Sequence, residues 1–154
     1  GLESFDALDG LLHKLQTRLG RASGAAEGAV HVVSCSSGDT AFHLACAALK
    51  HFPQVEVGQI RIFSAVRSLE EIRAAAKAAE VGEALVLFTF ASPGMSRYMR
   101  QQCELRGISY ADLFQPLMMH MEHYLAFPPL GVPGGLKSGV DSDVKLVSEL
   151  REVY

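Results

Sequence analysis

A hydroxyl-rich loop is the part of the sequence best suited to chemistry. Residues 34–40 (SCSSGDT) place hydroxyl, thiol and carboxyl side chains around one glycine, between an apolar run and a helical pattern. In open α/β sheets, ligands bind beyond the carboxyl ends of the strands. The backbone N–H groups of a helix N-terminus favour an anion such as phosphate. The pattern therefore predicts an anion or nucleotide site formed by Ser34, Ser36, Ser37, Gly38, Asp39 and Thr40.

The same loop has a simpler interpretation, in which Asp39 or Thr40 caps the helix and the serines complete a turn. A second wall of a pocket is expected from Ser92, which follows the apolar run at residues 84–90. Both strand ends would meet at one edge of a parallel sheet, so Ser92 is included in the predicted site.

A cysteine in this loop raises the alternative of a nucleophile, because a helix N-terminus stabilises a thiolate. A cysteine phosphatase also needs an arginine that closes the loop around the phosphoryl oxygens. The sixth residue after Cys35 is Ala41, so that pattern fails. A buried or semi-exposed thiol that takes no part in chemistry is the other interpretation of Cys35.

Two further motifs resemble known sites and are rejected. Residues 131–138 approach the phosphate-binding G-x-x-x-x-G-K-[ST] loop, but Leu136 stands where the second glycine is required. His120 and His123 are three residues apart, whereas the zinc motif H-E-x-x-H needs four. No metal site is predicted. The helical pattern that contains both histidines also has an apolar stripe, which we expect to face the core. Its residues are Phe114, Leu117, Met118, Met121 and Leu125.

Short apolar runs alternate with helical patterns, and these elements must position the loop. Strands are expected at residues 30–33, 55–63, 84–90 and 108–113, and helices at residues 40–51, 68–80, 93–106 and 115–126. This alternation indicates a parallel sheet with right-handed crossovers. We therefore expect an α/β fold, a four-stranded parallel sheet with helices on both faces in Rossmann-like or flavodoxin-like layers.

The segments around this domain differ in composition. An amphipathic helix is expected at residues 1–19 and a flexible small-residue linker at residues 20–28. The α/β domain would then cover residues 29–127. A Pro/Gly-rich linker and a short helix would follow at residues 128–154.

Composition excludes several classes of function. The 154 residues carry a net charge of −3, which argues against a nucleic-acid binder that neutralises phosphates with a basic surface. No apolar stretch approaches the roughly 20 residues of a membrane-spanning helix, so membrane insertion is not expected. Three cysteines without C-x-x-C spacing favour a reducing compartment.

Four separated segments together resemble the pyruvate, phosphate dikinase regulatory proteins, whose bacterial relatives regulate phosphoenolpyruvate synthase. They are VVSCSSGDTA at residues 32–41, ALVLFTFASP at 84–93, CELRGISYADLFQPL at 103–117 and FPPLGVPG at 127–134. The resemblance implies a bifunctional enzyme that phosphorylates a threonine with ADP and removes the phosphate with inorganic phosphate. It also implies a second half with the phosphate loop, which nothing in this chain matches, so no catalytic residue is carried over. Relatives usually have acidic residues where Cys35 and Ser92 stand.

The expected function is the regulatory or dimerisation half of such a protein, binding phosphate or an adenine nucleotide without completing catalysis. The alternatives are a structural subunit of a larger assembly with a vestigial pocket, and a small enzyme that uses Cys35. The resemblance implies a dikinase-type enzyme as partner, and a homodimer or larger protein assembly is expected as well. It implies a location in the bacterial cytoplasm or the plastid stroma.

Overall fold

The computed structural model describes residues 8–12 and 26–133 of the protein. Residues 8–12 are helical. From residue 26 onward, strands and helices alternate in the order β1 (Ala26–Gly28), β2 (Val30–Ser34), α1 (Asp39–Leu49), β3 (Val55–Val57), β4 (Arg61–Phe63), α2 (Leu69–Val81), β5 (Leu85–Thr89), α3 (Pro93–Leu105), β6 (Tyr110–Asp112) and α4 (Gln115–Leu125). The remainder of the predicted N-terminal helix, most of the predicted linker and the predicted C-terminal helix lie outside the described residues.

The main sheet has four strands in the order β4-β2-β5-β6, and all of its pairings are parallel. After β2 the chain adds β4 on one side, then crosses back over β2 to add β5 on the other side. The connection from β2 leads away to β4, and the connection from β4 returns past β2 to β5 on its other side, so a crevice opens between the carboxyl ends of β2 and β5. The predicted four-stranded parallel α/β fold is confirmed.

Both central strands are apolar because helices cover both faces of the sheet. On one face, Val33 and Phe88 pack in a cluster that includes Ile72 of α2 and Met99 of α3. On the other face, Val30 and Leu87 pack with Ala45 of α1. All five residues of β2 are buried, which makes this strand the centre of the domain.

The first residues of α2 and α3 have the types that favour a helix N-terminus. The Ser68 hydroxyl accepts a hydrogen bond from the Glu71 backbone N–H at 3.1 Å and donates one to the Glu71 carboxylate at 2.9 Å. The first of these bonds is the N-cap half of the capping box that the sequence predicts at the start of α2, and the Glu71 carboxylate contacts the Ser68 hydroxyl instead of the Ser68 backbone N–H. Pro93 occupies the first turn of α3, which is also as predicted.

Three regions differ from the sequence-based expectation. The single strand expected at residues 55–63 is two strands, because residues 55–57 pair with β1 and residues 61–63 pair with β2. Residues 26–28, at the end of the predicted linker, form β1. The predicted core stripe of α4 is not buried: Leu117, Met121 and Leu125 are 55%, 46% and 53% exposed.

Among the described residues, we find no helix with the length and apolar character needed to cross a membrane.

The buried histidine of β2 predicts a pH dependence of stability. His31 is 8% exposed, and its Nδ1 atom has no hydrogen-bond partner in the described residues. Burial, and secondarily the charge of Arg61, lower the pKa of His31 below its ordinary value of 6.5. The unfolded chain therefore binds a proton before the folded chain as the pH falls. The full stability is present above pH 6.5, and part of it is lost as the pH falls from 6.5 through the folded-state pKa.

Urea unfolding at pH 7.5 and at pH 5.5 measures this loss. Between the two pH values, we expect the unfolding free energy of His31→Leu to fall by less than that of the wild type. The other histidines are present in both proteins, so the difference isolates His31. Equal losses in the two proteins would contradict the prediction.

Candidate functional site

A cavity of about 470 Å³ opens at the carboxyl edge of the sheet, at the crevice between β2 and β5. Its walls come from the β2–α1 loop, the end of β5, α4 and the chain after α4. The lining residues are Ser34, Cys35, Ser36, Ser37, Gly38, Asp39, Thr40, Thr89, Ala91, Phe114, Met118, Pro129, Leu130, Gly131 and Val132. The cavity therefore contains all but one of the predicted site residues.

The floor of the cavity is a pair of hydroxyl groups where the two central strands end. Ser34 of β2 and Thr89 of β5 are register partners. The Thr89 hydroxyl donates to the Ser34 hydroxyl oxygen at 3.0 Å, and the Ser36 backbone N–H donates to the same oxygen at 3.1 Å. Ser34 is only 2% exposed, so its main role is to hold the two strand ends and the loop together.

The polar wall is the N-terminus of α1. Gly38, which has no side chain to make a capping hydrogen bond, is the N-cap residue of α1, so the interpretation in which Asp39 or Thr40 caps the helix is wrong. The Ser37 hydroxyl accepts from the Asp39 backbone N–H at 3.3 Å. In the described part of the chain, the Thr40 backbone N–H has no hydrogen-bond partner. This end of the cavity therefore presents hydroxyl groups and a free N–H at the positive end of a helix dipole.

Glycine is required at the N-cap for two reasons. The backbone of Gly38 has φ +84°, a left-handed conformation that side-chain-bearing residues seldom adopt. A Cβ atom at this position would also lie 2.8 Å from the Cγ2 atom of Ile62 in β4. The turn from β2 into α1 is thus shaped by the neighbouring strand.

The opposite wall is apolar, and sequence reasoning did not predict it. It includes Phe114 and Met118 from the start of α4, and Leu130 and Val132 from the segment that follows α4. The sequence assigned this segment to a linker because prolines and glycines exclude regular structure. Two apolar residues among those prolines were the available signal.

A polar network holds the apolar wall in place. One carboxylate oxygen of Asp112 accepts from the backbone N–H groups of Phe114 and Gln115, each at 3.1 Å, and the other accepts from the Ser96 hydroxyl. The Gln115 side-chain amide donates to the carbonyl oxygens of Phe90 at 2.8 Å and of the next residue at 3.0 Å. This network joins the start of α4 to the ends of β5 and β6, and so fixes Phe114 over the cavity.

The remaining candidate residues either lie outside the cavity or are buried in its wall. Ser92 is at the same sheet edge but is not among the cavity-lining residues; its hydroxyl accepts from the Met95 backbone N–H at 3.3 Å and caps α3. Cys35 lines the cavity but is only 5% exposed. His120 and His123 are exposed on α4. Within the ranges that the structure describes, no group of three or more His, Cys, Asp or Glu side chains could hold a metal ion.

Comparison with known proteins finds a family model and several named relatives that are similar to this chain. A family model described as kinase/pyrophosphorylase matches residues 30–147. A protein of Zea mays named pyruvate, phosphate dikinase regulatory protein, chloroplastic, is 28% identical over 119 residues, which is 74% of this chain and 28% of that protein.

Two bacterial relatives are provisionally named pyruvate, phosphate dikinase regulatory proteins. The one from Latilactobacillus sakei is 33% identical over 107 residues, or 70% of this chain and 38% of the relative. The one from Desulfotalea psychrophila is 25% identical over 121 residues, or 79% of this chain and 42% of the relative. The chain thus spans less than half the length of each of these relatives.

The backbone of the N-cap residue gives a stability prediction. Gly38→Ala should lower the unfolding free energy by at least about 1 kcal/mol, because a left-handed backbone and a close contact with Ile62 both oppose a Cβ atom. Gly58→Ala is the matched control, since nothing lies within 4 Å of its Cβ position. Denaturant unfolding of both variants measures the difference, and equal stabilities would show that the loop does not need glycine.

Burial predicts the order in which the cysteines react. At pH 8, iodoacetamide should modify the half-buried Cys46 first and should modify Cys35 and Cys103 slowly. Burial, followed by the nearby Glu104 charge, raises the pKa of the Cys103 thiol to about 12, so almost no thiolate is present. Peptide mass spectrometry gives the three rates. If Cys35 reacts fastest, the alternative of a cysteine nucleophile gains support.

Proposed function

This chain belongs to the kinase/pyrophosphorylase family, and on that premise we propose that it binds a phosphate-bearing ligand as the regulatory half of a dikinase-regulatory-type protein. The ligand is phosphate or an adenine nucleotide, held in the cavity between the ends of β2 and β5. The observation that carries the proposal is the division of this cavity into a polar end at residues 34–40 and an apolar end at Phe114 and Met118.

The two ends match the two parts of a nucleotide. The hydroxyl groups and the N-terminus of α1 supply hydrogen-bond donors and a positive dipole end, which stabilise a phosphate group. The ring of Phe114 and the thioether of Met118 supply apolar contact for a base. Asp39 is the acidic residue among the cavity-lining side chains, and it is exposed, so solvent screens its charge.

We further propose that the chain by itself binds without transferring a phosphoryl group. Phosphoryl transfer depends mainly on positioning and on electrostatic stabilisation by a phosphate loop, cations and metal ions. Leu136 replaces the second glycine in the segment of this sequence that comes nearest to such a loop. Ser34, the most deeply buried hydroxyl of the cavity, already accepts two hydrogen bonds.

The proposed protein partner is a dikinase-type enzyme, as the names of the relatives suggest. The exposed apolar stripe of α4, with Leu117, Met121 and Leu125, supports a protein contact on that face. The contact is with a second copy in a homodimer or with another protein of a larger assembly. The proposed location is the bacterial cytoplasm or the plastid stroma, and the chloroplastic relatives support the second of these.

Isothermal titration with inorganic phosphate, AMP, ADP and adenosine tests ligand binding. We expect saturable binding of a phosphate-bearing ligand, and a loss of affinity of at least about tenfold in Ser37→Glu, which places a negative charge beside the phosphate. Ser109→Glu is the matched control, because Ser109 is exposed and does not line the cavity. Absence of binding to the wild type would favour a structural subunit with a vestigial pocket.

A phosphotransfer assay tests the second part of the proposal. The chain is incubated with ADP and a purified dikinase, and the threonine phosphorylation is followed by mass spectrometry. We expect no more phosphorylated threonine than in a control reaction that lacks this chain. Appreciable turnover would show that this chain catalyses without the phosphate loop.

A further inference from the structure

The loop that follows β4 holds the carbonyl groups of the binding loop. The Val66 backbone N–H donates to the Ser34 carbonyl oxygen at 2.9 Å, and the Ala65 N–H donates to the Ser36 carbonyl oxygen at 2.8 Å. Between them, the Nε atom of Arg67 donates to the Cys35 carbonyl oxygen at 2.8 Å. Three consecutive carbonyl groups of the β2–α1 loop are therefore bound by three consecutive residues of the neighbouring loop.

These contacts matter for an anion because a carbonyl oxygen carries partial negative charge. A carbonyl that turned into the cavity would repel a phosphate group and would displace the N–H groups that can bind it. Two of the three contacts are made by the backbone and do not depend on residue type. The contact to Cys35 is made by a side chain, so it depends on the identity of residue 67.

We infer that Arg67 is a positioning residue of the proposed ligand site: its Nε–H fixes the Cys35 carbonyl, and with it the orientation of the β2–α1 loop. This inference rests on the proposed function for its effect on binding. No sequence pattern indicates this role, because Arg67 lies 32 residues after Cys35 and does not itself line the cavity.

The surroundings of Arg67 indicate that the main contact of its side chain is the hydrogen bond to the Cys35 carbonyl. Its side chain is exposed, and in the described part of the chain it forms no ion pair with a carboxylate. Ala65, two residues earlier, has φ +53°, an unfavourable conformation for alanine that brings its N–H group against the Ser36 carbonyl. Residues 65–67 thus form a tight turn against the binding loop, with Val66 buried beneath it.

Two substitutions separate positioning from charge. Arg67→Ala removes the donor. Arg67→Gln removes the positive charge but keeps an amide N–H at the same number of bonds from the backbone as the arginine Nε. Arg100→Ala is the control for net charge, because Arg100 is exposed on α3 and does not line the cavity.

The first readout needs no ligand. Release of the Cys35 carbonyl should let the loop move and expose the thiol, so we expect the alkylation rate of Cys35 to rise at least about fivefold in Arg67→Ala. In Arg67→Gln and Arg100→Ala, the alkylation rate of Cys35 should be close to that of the wild type. Alkylation of Cys103 should stay slow in all four proteins. An unchanged Cys35 rate in Arg67→Ala would overturn the inference.

The second readout is the affinity for ADP or phosphate by isothermal titration. Arg67→Ala should bind about tenfold more weakly, while Arg67→Gln should remain within about threefold of the wild type. If Arg67→Gln is as weak as Arg67→Ala, the charge acts directly on the ligand and the positioning role is wrong. If the wild type binds none of the ligands, the proposed function fails, and the alkylation rates still decide whether Arg67 holds the loop.

Discussion

The structure depends on the hydrogen bonding of β2 along both of its edges. This strand pairs with β4 on one side and with β5 on the other, and its five residues are all buried. A strand in this position needs apolar side chains toward both faces, and three of the five residues of Val30–Ser34 are valine. His31 and Ser34 are the exceptions: the Ser34 hydroxyl is hydrogen-bonded, whereas the Nδ1 atom of His31 has no partner among the described residues.

The same pairing creates the cavity. Because β4 and β5 lie on opposite sides of β2, the connection from β2 leads away from β5, and a crevice is left between the carboxyl ends of β2 and β5. The walls are then supplied by elements from different parts of the chain: α1 from one side, and α4 with the following Pro/Gly-rich segment from the other. Asp112 and Gln115 join the start of α4 to the ends of β5 and β6, so that the stability of the sheet edge and the shape of the cavity depend on the same hydrogen bonds.

The two residues that depart from the resembled family also bear on this edge. At the two positions where the resemblance implies acidic side chains, this chain has Cys35 buried below the loop and Ser92 as the N-cap of α3. A carboxylate at the first position would repel a phosphate group or bind a cation with it. Cys35 places no carboxylate there, which is consistent with the proposed site, in which N–H and hydroxyl donors bind an anion.

The amino-acid sequence by itself determined the parallel α/β architecture, because alternating apolar strands and capped helices are local patterns. It also determined the loop at residues 34–40, whose members line one cavity. Only the tertiary structure decided the split of residues 55–63, the exposure of the α4 stripe, the apolar wall at Phe114 and Met118, and the contact from Arg67 to Cys35. These depend on which strands become neighbours and which segments return to the sheet edge. Periodicity reports which side of a helix or strand is apolar, but it does not report what that side will meet.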